Sequence, residues 1–293
     1  MSLSTTRGFR ALISTHSRHV LDTVRGTAEV IWLNNGLKVD YSNVTIASML
    51  LDLGALDSID YFTNGNLSCL FATEDSSLES IKALEVLLAS NGFNMTQTEI
   101  RPYSGCSKVD SAIVLRAFLK EKAPRVAFVL HRDRDYMPGD AAKEFETKIS
   151  AIEAYPFLTA HSDVENYFIN AEHLGELNGI DPARVQQLID EATFRTRGAS
   201  VQALINIRTS AALKAGSGSL NAGKLSEEAN KDYDADPVTW RRGKPVLGTL
   251  IGLLQAELKK NPTVFQPSPH LKCATLTSIA SKIWVAPAAA KAA

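Results

Sequence analysis

The sequence predicts an α/β protein with a mainly parallel sheet flanked by helices, followed by a C-terminal helical region. Strand-favouring and helical segments alternate at least three times between residues 66 and 168, which is the pattern of parallel strands joined by crossover helices. From residue 171 onward the apolar periodicity becomes helical. A chain of 293 residues, 45% hydrophobic and 22% charged, has a globular composition with room for one large or two medium domains.

The first 60 or so residues have a different character. "FRALIST" reads as a strand with His16 near its end, and "SRHVLDTV" as a helix. "AEVIWLNNGLKVDYS" reads as a strand turning at Asn35-Gly36 into a second short strand. "NVTIASMLLDLGALDSIDYF" suggests one or two short helices stopped at Gly54.

The alternating unit begins with "NLSCLFAT" (66–73), a strand that ends at Glu74. Ser76 and Glu79 fit a capping box for the helix "SLESIKALEVLLAS", which stops at Asn91-Gly92. A strand around "TQTEIRPYS" reaches Gly105, and "SKVDSAIVLRAFLKEKA" is the next helix. "PRVAFVL", bounded by Pro124, is a buried strand leading to Asp133 and Asp135. "AAKEFETKISAIEAY" supplies another helix before "PFLTAHSDVENYFI". Three further helices are read in "PARVQQLIDEATFRTR", "ASVQALINIRTSAALKA" and "KPVLGTLIGLLQAELKK". Between the last two, "GSGSLNAGKLSEEANKDYDADPV" reads as a mobile surface loop, and the tail "APAAAKAA" as low complexity.

The formal net charge of −1 excludes a histone-like basic protein, so any nucleic-acid contact must come from a local patch. One stretch fits. No acid lies between Glu191 and Glu227, whereas Arg195, Arg197, Arg208, Lys214 and Lys224 are basic. A solvated helix surface is the duller reading. Cys69, Cys106 and Cys273 are odd in number and lack C-x-x-C spacing, so neither a disulfide framework nor a zinc knuckle is suggested. With no apolar run near the ~20 residues needed to cross a bilayer and no signal-peptide core, the expectation is a soluble cytoplasmic protein with no membrane partner.

The chemistry lies at the predicted strand ends. In a parallel α/β sheet, ligands bind outside the carboxyl ends of the strands, where Glu74, Gly105, Asp133 and Asp135 fall. Strand alternation puts 133 and 135 on one side, and Asp163 with Glu165 follows the next strand with the same spacing. So many carboxylates around one crevice call for divalent cations, and oxygen-only ligands select Mg²⁺ or Mn²⁺. Two ions about 3.5–4 Å apart would activate a water and stabilise the leaving oxygen of a phosphodiester. Lys244, in "RRGKP" before an amphipathic helix, would neutralise charge on a scissile phosphate.

Each residue also has a structural reading. D-x-D can be a turn, Glu79 and Asp163 helix caps, Asp75 a partner of a helix dipole, and Gly105 a turn glycine that also lets a phosphate approach the backbone. Glu165 sits among apolar neighbours, where an unpaired acid is costly.

Glu74 after one strand, Gly105 after the next and "DRD" (133–135) after the third resemble the Toprim domain of topoisomerases, primases and related nucleases, a Rossmann-like fold. "DVENYF" and Gly243-Lys244 are similar to the C-terminal half of the overcoming-lysogenization-defect (OLD) family, in which an ABC-type ATPase precedes a Toprim nuclease and a helical region. "LISTHSRHVLD" resembles the switch-histidine segment closing the ATPase core, with His16 matching the histidine placed near the ATP γ-phosphate. The resemblance spans about residues 8 to 260.

It implies residues 1–64 as the end of an ATPase domain, 65–170 as the Toprim catalytic domain and 171–293 as a helical region completing the site. It further implies a metal-dependent DNA endonuclease, in phage defence or DNA repair, with Glu74, Asp133 and Asp135 holding the first ion. Asp163 and Glu165 would help with a second, Lys244 would stabilise the transition state, and Arg195, Arg197, Arg241 and Arg242 would contact DNA. Partners implied are an ABC-type ATPase domain or subunit and a second copy of the chain.

Departures are specific. No G-x-x-x-x-G-K-[ST] and no Walker B acid before His16 occur, so no ATPase activity is expected of this chain alone. Such a chain reads as the C-terminal piece of a longer protein or as a subunit whose ATPase half is separate. Asp75 follows Glu74 where the family places glycine, and Leu78 stands where it places another acid, a role open to Asp75 or Glu79. The rivals are a catalytically weak interaction or DNA-sensing module, and a ribonuclease or primase-like enzyme. A haloacid-dehalogenase reading fits poorly, because Tyr136 and Met137 replace the motif that must follow the D-x-D.

Overall fold

The computed structural model describes residues 66–103, 109–214 and 221–284, together with two short strands, β1 (Leu33–Asn34) and β2 (Leu37–Lys38). β1 and β2 pair antiparallel, Leu33 opposite Lys38 and Asn34 opposite Leu37, and the turn expected at Asn35-Gly36 lies outside the described residues. His16, Gly105, Cys106 and the other elements expected before residue 65 lie outside the described residues.

Four strands form the main sheet: β3 (Cys69–Thr73), β4 (Thr98–Pro102), β5 (Ala127–Arg132) and β6 (Tyr155–Leu158). All neighbours are parallel, in the order β4-β3-β5-β6. Parallel neighbours need crossovers, and α1 (Leu78–Ser90), α2 (Val109–Lys122) and α3 (Gly139–Ala151) provide them. The central strands β3 and β5 carry the apolar runs "CLFAT" and "AFVLHR" because both their faces are covered.

Alternation along these strands divides the core. Phe71, Val129 and Phe157 face α1, whose Leu84 and Leu87 are fully buried against them. Leu70, Phe128 and Leu130 face the opposite way, toward Leu115 and Leu119 of α2 and Ile149 of α3. Burying each such side chain stabilises the fold by roughly 1.5–3 kcal/mol.

Beyond β6 a 3₁₀ turn (Val164–Phe168) leads into seven helices among the described residues. These are α4 (Ala171–Asn178), α5 (Pro182–Arg195), α6 (Arg197–Lys214), α7 (Ala222–Ala235), α8 (Pro237–Trp240), α9 (Gly243–Leu258) and α10 (Ala274–Trp284). Val185 and Leu188 of α5 and Val246 and Leu250 of α9 belong to the same buried cluster as Phe71 and Leu84, so the apolar core runs unbroken from the sheet into the helices. No helix among the described residues is long and apolar enough to cross a membrane.

The α/β expectation agrees with this architecture, while three local expectations differ. The segment read as a loop contains α7: Asn221 and Asp236 flank it, and Gly223, Asn230, Asp232 and Asp234 lie within a helix whose Ala229 and Tyr233 are buried. Asn221 and Asp236 work there as caps: the Asn221 side chain accepts from the Lys224 N–H, and Asp236 from the Thr239 N–H. The cap of α1 is Ser77, which accepts from the Ser80 N–H at 3.1 Å, and not the Ser76–Glu79 pair. α10 was not anticipated; its inner face is Leu276, Ile279 and Ala280.

Candidate functional site

The sheet order fixes where a ligand can enter. From β3 the chain moves outward to β4 and then crosses back to place β5 on the other side of β3. The carboxyl ends of β3 and β5 therefore flank the point where successive connections diverge, the location of ligand crevices in open parallel sheets. Glu74 and Asp75 leave β3 there, and Asp133 leaves β5.

Asp133 is buried, and its N–H donates to Glu74 Oε1 at 2.5 Å, so the two strand ends are stitched directly. The strand does not continue to residue 135. Backbone φ turns to +42° at Asp135 and +61° at Tyr136, in the left-handed region, and Asp135 is exposed. The expected shared side for the two aspartates thus fails as strand geometry, because β5 ends at Arg132. Their carboxylates still repel each other across the turn and lie within the field of Asp163. Tyr136 holds the turn by donating to the Trp240 carbonyl at 3.0 Å, with its ring stacked on Trp240.

Three carboxylates behave differently from the rest. Asp75 is buried and accepts from Lys244 Nζ at 3.1 Å through Oδ1, leaving Oδ2 without a partner. Glu165 is buried in the 3₁₀ turn; Oε1 accepts from Ser80 Oγ at 3.1 Å and lies 3.8 Å from Lys244 Nζ, and Oε2 has no partner. Asp133 Oδ1 is likewise unpartnered. A buried polar atom left unsatisfied costs about 1–3 kcal/mol, more when charged, so three beside one lysine call for an explanation beyond packing.

The electrostatics follow from burial. Loss of water pushes Glu74 up to about 7, with the repulsion of Asp133 adding to it and the Asp133 N–H opposing it. Burial raises Glu165 to about 7 as well, against the pull of Lys244. Burial and then Asp75 and Asp163 hold Asp133 well above the usual aspartate range, and Asp135 moves up for similar reasons. Burial acts against the Lys244 ammonium, yet Glu165 and Asp75 outweigh it and hold the group above the ordinary lysine range. Lys244 is the resident cation of the cluster.

Asp163, expected as a metal ligand, is engaged elsewhere. Its Oδ2 accepts from the N–H groups of Gly243 (2.9 Å) and Lys244 (3.3 Å), and its Oδ1 from Asn166 Nδ2 at 2.9 Å. It caps α9, where a carboxylate satisfies free N–H groups and meets the positive end of the helix dipole. Gly243 is required for this approach, since a Cβ there would lie 1.9 Å from Asp163 Oδ1. The cap points Lys244 into the cluster.

Glu79 is exposed on the first turn of α1 with no hydrogen bond or ion pair to the cluster; the residue of that turn that reaches it is Ser80. The expected DNA-contacting arginines also separate. Arg195 pairs with Glu191 at 2.5 Å, and Arg197 with Asp234 at 2.8 Å. Arg208 pairs with Asp232 at 2.6 Å, so α7 neutralises a stretch that is free of acids in sequence. Arg241 is buried, with Nε donating to Asn166 Oδ1 at 3.1 Å, and is structural. Arg242 is exposed, and its charge acts on Asp135 at the edge of the cluster.

Sequence reasoning passed over His131 and Thr73. The signal was parity: His131 is two residues before Asp133 on β5, and Thr73 two before Asp75 after β3. His131 is fully buried beneath the carboxylates, its ring between Phe71 and Phe157, and burial drives it down to about 4 despite the nearby acids. It is neutral at physiological pH.

Among the described residues no three acidic, histidine or cysteine side chains already form a ready ligand set. The arrangement is a largely buried carboxylate cluster with three partnerless oxygens and one lysine. The donor set fits a hard divalent ion: the partnerless atoms of Asp75, Asp133 and Glu165 are all carboxylate oxygens, the chemistry that Mg²⁺ and Mn²⁺ take. Comparison with known proteins returns no match, whether to family models, to characterised sequences or to solved structures. The reading rests on the chemistry of the site.

Proposed function

We propose that the chain is a Mg²⁺- or Mn²⁺-dependent nuclease acting on DNA phosphodiesters, a reading that accords with the Toprim and OLD resemblance. The observation that carries it is the set of three buried, partnerless carboxylate oxygens on Asp75, Asp133 and Glu165, at the switch point of a parallel sheet beside a lysine. Asp75, Asp133 and Glu165 would hold metal, with Glu74 as a further ligand or as the group that fixes the Asp133 backbone. The metal would supply Lewis acidity and a water activated at neutral pH. Lys244 would meet the non-bridging oxygens of the phosphate, and Arg242 would hold the backbone beside it. Asp135 is exposed next to Arg242 and is the candidate for a second ion.

A second reading has its own observation. Lys244 already neutralises Asp75 and Glu165, which is also what a non-catalytic module with a structural ion-pair cluster would have. Incubating supercoiled plasmid with the purified chain in Mg²⁺, Mn²⁺, Ca²⁺ or EDTA separates the two. The nuclease reading expects nicking or linearisation in Mg²⁺ or Mn²⁺, absent in EDTA and reduced at least ~10³-fold in Asp133→Ala, as for loss of a major electrostatic contribution. Equal activity in Asp133→Ala would end it.

A further inference from the structure

Beneath the carboxylates lies a polar chain that the proposed chemistry does not use directly. The Asp75 N–H donates to Thr73 Oγ1 at 3.1 Å, and Thr73 Oγ1 lies 2.8 Å from His131 Nδ1. On the far side of the ring, His131 Nε2 is 3.5 Å from Asp133 Oδ1. Both of those atoms are buried, and neither has a hydrogen-bond partner.

The protons can be assigned from the chain itself. Thr73 Oγ1 accepts from the backbone, so its one proton is free to point at Nδ1, which makes Nδ1 the acceptor and leaves the ring proton on Nε2. The opposite tautomer would turn a lone pair of Nε2 toward a carboxylate oxygen, leaving both without a donor in a dry site. The Nε2–H therefore faces Asp133 Oδ1. At 3.5 Å the contact is at the outer limit for such a bond, and a small movement of either side chain would close it.

We propose that His131 is a positioning residue: as the Nε2–H tautomer set by Thr73, it faces one lone pair of Asp133 Oδ1 and orients the carboxylate so that the other lone pair is left for a divalent ion shared with Asp75. This rests on the metal-site reading above. The same chain ties the Asp75 backbone to the Asp133 side chain, so the two ligands flanking the switch point are placed by one buried unit. Partners behind a metal ligand commonly matter by 10–100-fold in affinity.

Two substitutions separate positioning from mere filling of the core. His131→Gln can place an amide N–H near the Nε2 position, and His131→Asn can place one only near Nδ1. Mn²⁺ titration calorimetry on the full chain at pH 7.5 is expected to give His131→Gln within about 3-fold of wild type and His131→Asn weakened by about 10–100-fold, with similar melting temperatures. Nitrogen chemical shifts of the wild-type ring in metal-free protein should show protonated Nε2 and bare Nδ1. Equal Mn²⁺ affinity in the two variants, or a ring protonated at Nδ1, would overturn the proposal while leaving a metal-binding wild type intact. A wild type that takes up no Mn²⁺ would remove the metal-site reading itself, and this proposal with it.

Discussion

Asp75 and Asp163 show how two aspartates near one crevice acquire different tasks from their neighbours. Both oxygens of Asp163 accept hydrogen bonds from groups that do not leave, namely the N–H groups opening α9 and the Asn166 amide. Asp75 keeps one oxygen free and shares the other with a lysine. The metal-site reading therefore predicts that Asp75→Asn weakens Mn²⁺ binding by at least ~10-fold, since it removes one of few charged ligands. Asp163→Asn should retain binding close to wild type and lose about 1 kcal/mol of stability, the usual scale of a helix cap. Calorimetry and thermal melting on both variants check this; the reverse order would return Asp163 to the ligand set.

At the scale of elements, α9 is the piece that delivers Lys244, and its register is set by Gly243 against Asp163. Gly243→Ala drives a methyl into the cap and should destabilise by about 1–3 kcal/mol, the range for forced overpacking, with loss of the Asp163 bonds. Denaturant melts measure it; an unchanged midpoint would mean that the α9 entry tolerates a shift. The same element shows what could be read from sequence. Strands β3 to β6 and helices α1, α2, α3, α5, α6 and α9 were legible because each carries its own apolar period or stop signal, as "CLFAT" and "AFVLHR" do. α7 was not, because it buries only Ala229 and Tyr233, too few to give an apolar period, and its caps look like loop residues. That Glu74 and Asp133 leave neighbouring strands was legible because strand ends follow from the strands, whereas Glu165 was read from its place after β6 and Lys244 from its place before α9. The pairing of Arg197 and Arg208 was not legible because Asp234 and Asp232 come from a helix not recognised in the sequence, and His131 stayed hidden because a histidine inside an apolar strand carries no motif.

Over the whole molecule, the cluster stores charge that the fold does not favour. Glu74 and Glu165 titrate near 7 in the fold and near 4.5 in the unfolded chain, so the folded state binds more protons between those values and stability falls as pH rises through that window. Depressed His131 acts oppositely, adding stability as pH climbs from about 4 to 6.5, which offsets part of the loss in the acidic half of the range. Above pH 6.5 only the carboxylate effect remains. The melting temperature should therefore drop between pH 6 and pH 8 in EDTA, and Mn²⁺ should recover more of it at pH 8, where it does not compete with protons. Calorimetric scans at the two pH values, with and without Mn²⁺, measure this. A melting temperature that rises toward pH 8 without metal would contradict the charge assignment.

The central claim is that the free carboxylate oxygens at the β3–β5 switch point are a divalent-metal site. Crystals grown with Mn²⁺ and measured at its absorption edge test it most directly, because anomalous scattering locates the ion without assuming a ligand set. The account predicts a peak bounded by Asp75, Asp133 and Glu165, with Lys244 drawn away from Asp75. A map with no peak there, and Lys244 still bridging Asp75 and Glu165 at saturating Mn²⁺, would contradict it.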